Sequence, residues 1–211
     1  MISPFEIHHP ARLTIAGTSG TGKTMWVLNL IRYRTKIFKP FAPTVIYFHY
    51  EHEQEWFPEF ANDVIFVKEL PRIWDITKAT LIISDDSLLS KASMQQLATL
   101  YIGQARHSNA TCIFLTQSLF YKDPNLRLVT SNTTIFVIFK MIRAVYQVER
   151  LLSQIFSRAK SKIALEVYHD ALKTDKWSYL MVDLQLALLE SPVLRSNVFP
   201  PAQNEFIYKL A

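Results

Sequence analysis

Short apolar runs rich in β-branched and aromatic residues recur along the chain and predict buried strands. Most of these runs are continuous rather than alternating, which is typical of strands covered on both faces in a parallel sheet. The predicted strands are ARLTIA (11–16), TVIYFHY (44–50), VIFV (64–67), TLIIS (80–84), TCIFLT (111–116), TIFVIF (134–139) and SYLMVD (178–183).

Segments with helical periodicity lie between several of these strands. They are 23–33, 93–104, 146–156 and 161–172. This alternation predicts an α/β fold with right-handed crossovers. The 211 residues contain no repeat, so we expect a single domain over 1–211. Prolines near the end predict an irregular tail from about 190 to 211, with FIY (206–208) as a late edge strand.

The amino-acid composition excludes only a few classes of protein. Hydrophobic residues make up 49% of the chain, which is enough for a sizeable core. The net charge of +5 allows an anionic partner but does not require one. The only cysteine, Cys112, lies in a predicted strand, so a disulfide framework is excluded and a core role is expected. The sequence shows neither a signal peptide nor an apolar run of ~20 residues that could span a membrane.

Glycine is scarce, yet a glycine-rich loop falls directly between a predicted strand and a predicted helix. GTSGTGKT (17–24) matches G-x-x-x-x-G-K-[ST], the Walker A motif or P-loop. Glycine lets the backbone amides wrap around phosphates, and the helix N-terminus adds its positive dipole end. Lys23 would reach the β- and γ-phosphates, and Thr24 would offer a hydroxyl to Mg²⁺. The predicted nucleotide-binding residues are Gly17, Thr18, Ser19, Gly20, Thr21, Gly22, Lys23 and Thr24.

A second strand ends on two carboxylates. TLIISDDSL (80–88) places Asp85 and Asp86 at the tip of an apolar run, as in a Walker B strand. Asp85 would bind Mg²⁺, and Asp86 would polarise the attacking water. This pair favours ATP hydrolysis over transfer to a small acceptor.

A third strand ends on an amide. RHSNATCIFLTQSLF (106–120) contains a buried strand followed by Gln117. Motor-type P-loop ATPases have an additional strand between the Walker A and Walker B strands, with a polar residue at its tip. An amide both donates and accepts, so Gln117 fits a sensor of the γ-phosphate and of the attacking water.

These motifs, together with VLRSNVFPP near the end, resemble the viral genome-packaging ATPases of the FtsK/HerA superfamily. The branch it most resembles is that of Polinton/adintovirus-like elements and virophages, with the poxvirus enzyme more distant. The resemblance runs from about Leu13 to Tyr208. It implies a P-loop NTPase three-layer sandwich of RecA/ASCE type with a mainly parallel central sheet. It also implies an ATP- and Mg²⁺-dependent motor that pumps double-stranded DNA into a preformed capsid.

The resemblance implies further partners and a trans-acting arginine. Such motors form homo-oligomeric rings, here a pentamer or hexamer, and engage a capsid or packaging-vertex protein inside the infected cell. Their active sites lie between subunits, and an arginine enters from the neighbour. Arg106 is the first candidate for that arginine and Arg143 the second. Two positions depart from the family pattern, since Ser118 replaces an Asn and Asp86 replaces the common Glu.

Other basic and histidine residues give weaker signals. Lys122 and Arg127, in a predicted loop after the sensor strand, are candidates for DNA phosphate contacts. HYEHEQEW (49–56) lacks the H-E-x-x-H spacing of a zinc site, so we interpret it as turn residues at a sheet edge.

Three alternatives share the P-loop. One is another DNA-translocating ATPase of the conjugation or segregation type. A second is a nucleotide kinase, although the sequence has no arginine-rich lid cluster. The third is an ATP-gated interaction module that binds nucleotide without hydrolysing it.

Overall fold

The computed structural model describes residues 5–49, 60, 62–85, 90–185, 192–199 and 205–210. These residues form two compact units, each built from several stretches of the chain. The first unit draws on Met1–Leu13, Arg34–Leu115 and Tyr121–Thr133, and the second on Thr14–Tyr33, Thr116–Phe120 and Thr134–Ala211. The expectation of one domain over 1–211 stays a prediction.

Every strand and helix predicted from the sequence is present, with its ends shifted by a few residues. The strands are β1 (Ile7–His8), β2 (Arg12–Ala16), β3 (Phe38–Lys39), β4 (Val45–His49), β5 (Val64–Val67), β6 (Thr80–Asp85), β7 (Ala110–Thr116), β8 (Ile135–Phe139), β9 (Tyr179–Asp183), β10 (Val193–Ser196) and β11 (Phe206–Tyr208). The helices are α1 (Lys23–Arg32), α2 (Arg34–Ile37), α3 (Lys91–Thr99), a π-helix (Leu100–Gln104), α4 (Ala105–His107), α5 (Pro124–Ser131), α6 (Val145–Ile155) and α7 (Arg158–Ala171). Within the described ranges, no helix is long and apolar enough to cross a membrane.

Strands β7, β6, β4 and β5 of the first unit are hydrogen-bonded in that order and run parallel. All residues of β7 are buried, as its continuous apolar run predicted. The amide of Cys112 in β7 donates to the carbonyl of Ala11, just before β2, at 2.9 Å. β7 therefore lies between β2 and β6, which confirms the predicted additional strand. Burial raises the pKa of the Cys112 thiol to about 12, as fits a core residue.

One face of this parallel sheet is covered by α3, the π-helix and α5. Leu97 of α3 and Val129 of α5 pack in the same apolar cluster as Phe114 of β7. The hydroxyl of Tyr101, in the π-helix, donates to the carbonyl of Leu13 in β2. The helices of the first unit thus stabilise the strand that leads into the P-loop.

The second unit consists of three layers. Strands β11, β10, β9, β8 and β2 follow one another, and β8 to β11 pair antiparallel. Leu180 and Val182 of β9 pack in one cluster with α6 and α7, whereas the ring of Tyr179 meets Trp26 of α1 edge-on at 6.2 Å. Successive side chains of a strand point to opposite faces, so α1 and the α6–α7 pair cover opposite faces of the sheet.

The prediction of an irregular tail from about 190 to 211 is wrong at Val193–Ser196, which form β10. Strand β10 pairs antiparallel with β9 and with β11, and an ion pair joins Nη1 of the buried Arg195 to Oε1 of the half-buried Glu205 at 2.6 Å. Short strands flanked by proline carry little periodic signal of their own. Pairing along β9 is what supplies the backbone hydrogen bonds of β10. FIY (206–208) forms the predicted edge strand, β11.

The prediction of a loop over 120–127 is also wrong in part, because α5 begins at Pro124. Asp123 Oδ1 accepts hydrogen bonds from the amides of Asn125 at 2.8 Å and Leu126 at 3.1 Å. Pro124 is the first helical residue. Asp followed by Pro is a helix-start signal that the sequence contained. Arg127 consequently lies on a helix and Lys122 just before it.

Candidate nucleotide-binding site

The P-loop is held by backbone hydrogen bonds on both sides. The amide of Gly17 donates to the carbonyl of Thr116, the last residue of β7, at 3.1 Å. The amide of Thr18 donates to the carbonyl of Lys140, just after β8, at 3.1 Å. The amide of Ile142 in turn lies 3.4 Å from the Thr18 hydroxyl oxygen. The loop is therefore fixed between the chain segments that follow its two neighbouring strands.

Three glycines make this path possible for two different reasons. Gly20 and Gly22 have φ values of 76° and 105°, in the region where only glycine is free of strain. Gly17 is buried against β8, where a Cβ atom would lie 2.6 Å from Phe139 Cβ and 2.9 Å from Thr21 Oγ1. Backbone conformation thus requires two of the glycines, and close packing requires the third.

The end of the loop is suited to an anion. Helix α1 begins at Lys23, and no side chain of the described residues caps its N-terminus. An uncapped helix start presents backbone amides and the positive end of the helix dipole. Lys23 Nζ donates to the carbonyls of Gly17 at 2.7 Å and Thr18 at 3.3 Å, so its ammonium group lies over the loop. These donors fit the phosphates of a nucleotide.

The predicted metal ligands lie at the ends of two elements. Thr24 is the second residue of α1, and Asp85 is the last residue of β6; both are half-buried. A hydroxyl and a carboxylate are the hard oxygen ligands that Mg²⁺ prefers, so the donor chemistry fits this ion. Asp86 lies outside the described residues.

The interpretation of the 49–56 motif as turn residues at a sheet edge is wrong for His49, which is the last residue of β4, a strand between β6 and β5. His49 is buried in β4, with Nδ1 3.3 Å from Ser84 Oγ and Nε2 3.1 Å from the Lys68 carbonyl oxygen. Burial lowers the pKa of the imidazole. The other residues of the 49–56 motif lie outside the described part of the chain. Among the described residues, no cluster of three metal-binding side chains is present.

Gln117 follows β7 directly and is exposed. The residues on both sides of it are fixed. Thr116 Oγ1 accepts from the Ser118 amide at 3.1 Å. Gln147 Oε1 accepts from the Leu119 amide at 2.7 Å and from the Ser118 hydroxyl at 3.0 Å. The Thr116 carbonyl also accepts from the Gly17 amide. The predicted sensor, Gln117, is therefore the residue next to one that is hydrogen-bonded to the P-loop.

Gln147 is a residue that the sequence reasoning missed. It occupies the buried face of α6 and is 8% exposed, among apolar neighbours such as Val148 and Leu151. A lone amide on an apolar helix face was the available signal, since buried polar side chains need hydrogen-bond partners.

The two candidate trans-acting arginines have different surroundings. Arg106 is exposed in α4, before the amino end of β7. The seven residues of β7 span about 20 Å, which separates Arg106 from the end that binds the P-loop. Arg143 is exposed beside Ile142, whose amide reaches Thr18 of its own P-loop. The DNA candidates Lys122 and Arg127 are both exposed, in the first unit.

A cavity of about 480 Å³ adjoins the P-loop in the second unit. Ser19, Gly20 and Thr21 line it on one side. Residues after β8 and between α7 and β9 line the other sides, and none of them was predicted from the sequence. They are Lys140, Ile142, Leu172, Asp175, Lys176 and Ser178.

Comparison with known proteins supports the fold. No protein-family model and no curated protein matched the chain. The crystal structure of B204, the DNA-packaging ATPase from Sulfolobus Turreted Icosahedral Virus, matches 97% of this chain and 100% of its own, with 13% identity and a TM-score of 0.52. The chain has the fold of B204. The predicted α/β P-loop NTPase fold is thereby confirmed, while the Polinton and virophage branch stays a prediction.

Two other structures give lower scores. The genome packaging NTPase B204 from Sulfolobus turreted icosahedral virus 2, in complex with ATP-gammaS, covers 96% of this chain and 98% of its own at 14% identity, with a TM-score of 0.47. The cytoplasmic domain of EssC covers 64% of this chain and 32% of its own at 14% identity, also with a TM-score of 0.47.

We expect Gly17→Ala to weaken nucleotide binding about tenfold or more, because a Cβ 2.6 Å from Phe139 Cβ must displace the loop. Titration with a fluorescent ATP analogue measures the affinity. Gly103→Ala is the matched control, since its Cβ would meet nothing nearer than His107 Cδ2 at 3.9 Å. Wild-type affinity in the Gly17 variant would contradict the packing argument.

Proposed function

We propose that this protein is an ATPase that moves double-stranded DNA into a preformed viral capsid. One observation carries the proposal: β7, with Gln117 at its tip, lies between the P-loop strand β2 and the Asp85 strand β6. This order is the one expected of a motor-type ATPase. The B204 fold, which includes a DNA-packaging ATPase, supports the same function.

Nucleotide binding rests on the P-loop. Its amides and those at the N-terminus of α1 would donate to the phosphate oxygens, and Lys23 would exchange the Gly17 and Thr18 carbonyls for β- and γ-phosphate oxygens. Thr24 and Asp85 would hold Mg²⁺, whose charge offsets that of the phosphates and of the leaving group. The Lys23 ammonium group already lies over the P-loop, so its side chain would need to move little to bind the phosphates.

Hydrolysis would depend on Gln117 and Asp86. The Gln117 amide would donate to the γ-phosphate and accept from the attacking water, and Asp86 would accept the water's proton. The hydrogen bonds of Thr116 and Gln147 hold the backbone on both sides of Gln117. A sensor fixed before the reaction loses little energy to reorganisation in the transition state.

A ring would complete the site. A residue that acts on a neighbour's nucleotide must lie away from its own, and Arg106 satisfies this condition because β7 separates it from the P-loop end of the strand. Arg143 adjoins its own P-loop, which makes it the weaker candidate. We therefore propose a pentameric or hexameric ring at the packaging vertex in infected cells. Lys122 and Arg127 would contact DNA phosphates without reading sequence.

The wild-type protein should release phosphate from ATP, and double-stranded DNA should increase the rate. Light scattering should show that the protein is an oligomer. Lys23→Ala should lower turnover by roughly 10²- to 10³-fold, because the phosphate charge loses its main side-chain partner. Lys162→Ala, at an exposed position of α7, is the control. Phosphate transfer to an acceptor would indicate a kinase. Turnover that is unchanged by DNA would contradict the proposal that the protein is a DNA-translocating motor.

Arg106→Ala should lower turnover about 10³-fold with unchanged nucleotide affinity, as for loss of an arginine finger. Mixing it with Lys23→Ala should restore part of the turnover, because a Lys23→Ala subunit still supplies Arg106 to an intact neighbouring P-loop. The same mixing with Arg143→Ala tests the second candidate. Full turnover of Arg106→Ala alone would remove Arg106 from this role.

Gln147→Ala should lower turnover roughly tenfold while the affinity for ADP is unchanged, because the backbone around Gln117 loses an acceptor for two hydrogen bonds. Gln147→Glu retains both acceptor interactions and should recover most of the turnover. Gln154→Ala, exposed on the same helix, should match wild type. An equal loss of affinity and turnover would indicate that Gln147 serves stability alone.

A further inference from the structure

A two-residue turn separates α4, which carries Arg106, from β7. Ser108 ends the helix, and Asn109 leads directly into Ala110, the first residue of the strand. Asn109 has a φ value of 52°, in the left-handed region that asparagine enters more readily than most residues. A connection this short gives the backbone few alternative paths, so the contacts that hold Ser108 and Asn109 also set the position of Arg106.

Trp74 holds the first residue of this turn. Its Nε1 donates to the carbonyl of Ser108 at 2.7 Å. The indole is 8% exposed and packs in the same apolar cluster as Ala105 of α4. The segment before Trp74 is tied to α3, because the side-chain amide of Gln96 donates to the carbonyl of Pro71 at 2.8 Å. An indole has one polar atom, and here that atom binds the turn after α4.

His9 holds the second residue. Nε2 of His9 lies 2.9 Å from Oδ1 and 3.1 Å from the carbonyl oxygen of Asn109. Both oxygens are acceptors, so Nε2 carries the proton. The Ala11 amide donates to Thr111 Oγ1 at 3.0 Å, which leaves the Thr111 hydroxyl proton for Nδ1 of His9, 2.8 Å away. Burial lowers the pKa of the imidazole, which agrees with a neutral ring that has a partner at each nitrogen.

These contacts reach the turn from separate segments of the first unit. His9 lies between β1 and β2, and Trp74 lies between β5 and β6. The amide of Thr80, at the start of β6, also donates to the Asn109 carbonyl at 3.0 Å. Both anchoring side chains are buried, whereas Arg106 is exposed. A backbone fixed in advance reduces the conformational entropy that is lost when an exposed side chain binds its target.

The segment on the other side of Arg106 is fixed as well. It is the π-helix Leu100–Gln104, and its Tyr101 is fully buried. The Tyr101 hydroxyl donates to the carbonyl of Leu13, and the Tyr101 carbonyl accepts from Arg12 Nη1 at 3.0 Å. π-helices are rare and are frequent at functional sites. The three-residue helix α4 is therefore held at both ends.

We propose that His9 and Trp74 are positioning residues for Arg106: by fixing Asn109 and Ser108, they set the position from which α4 presents the guanidinium group to a neighbouring subunit's nucleotide. The inference rests on the trans role of Arg106 proposed above. A small displacement of a group that acts in the transition state lowers the rate strongly. Both residues act through the arginine of their own subunit, so their effect belongs to the subunit that supplies the arginine.

Mixed oligomers show which subunit needs His9. When Arg106→Ala subunits supply the intact P-loop and Lys23→Ala subunits supply Arg106, only one kind of active site is complete. His9→Leu, which removes both ring nitrogens, should lower the restored turnover roughly tenfold when it is placed in the Lys23→Ala subunits. The same substitution placed in the Arg106→Ala subunits should leave the restored turnover unchanged.

Conservative variants separate the hydrogen bonds from the packing. His9→Gln has an amide nitrogen that can donate to Asn109, so it should recover most of the turnover in the Lys23→Ala subunits. His8→Gln, at the exposed neighbouring position, is the matched control. Trp74→Phe retains an aromatic ring but lacks the indole donor, and it tests the second contact in the same two placements without depending on the folding of a His9 variant.

The two placements distinguish positioning from stability. Loss of turnover in both placements would mean that the substituted residue only stabilises the fold, and no loss in either placement would also overturn its positioning role. If the mixture of Arg106→Ala and Lys23→Ala restores no turnover before any further substitution, the shared active site proposed above is overturned, and the positioning role with it.

Discussion

The amides of Gly17 and Thr18 depend on carbonyl groups at the ends of two different strands, and the geometry of the site follows from that constraint. Thr116 supplies one carbonyl and Lys140 the other. The loop can reach both only if it passes close to β8, where Phe139 leaves no room for a side chain on Gly17. These two hydrogen bonds thus set the position of the phosphate donors relative to the ends of β7 and β8.

The same two carbonyls connect the loop to the residues proposed to act on the nucleotide. Thr116 precedes Gln117, and the segment after Lys140 leads into α6, where Gln147 binds the backbone beyond Gln117. The P-loop and the sensor are therefore tied together along two paths in the second unit. Buried polar groups are costly unless they are hydrogen-bonded, so the buried Gln147 amide is stabilised by the Ser118 hydroxyl and the Leu119 amide that it binds.

Sequence patterns predicted the parts of the fold that carry their own signal. β7 and β8 are continuous apolar runs and proved buried throughout, and the P-loop is recognisable from the spacing of its glycines, Lys23 and Thr24. The short strand β10 was not predicted because half of Val193–Ser196 is polar: Arg195 and Ser196 are buried in a strand that pairs with β9 and β11. The start of α5 was not predicted, although Asp123 and Pro124 are a helix-start signal in the sequence. This error therefore came from the interpretation of the sequence and not from the absence of a signal.

By itself, the sequence determined the α/β class, the residues of the P-loop and the placement of Asp85 and Gln117 at strand tips, because each follows from local periodicity or from a contiguous motif. Only the tertiary structure decided that Gln147 binds the backbone after Gln117 and that Trp177 covers Gly22. These contacts join residues separated by tens of positions along the chain. Such pairs leave no local pattern, since they arise only when strands and helices pack around a common core.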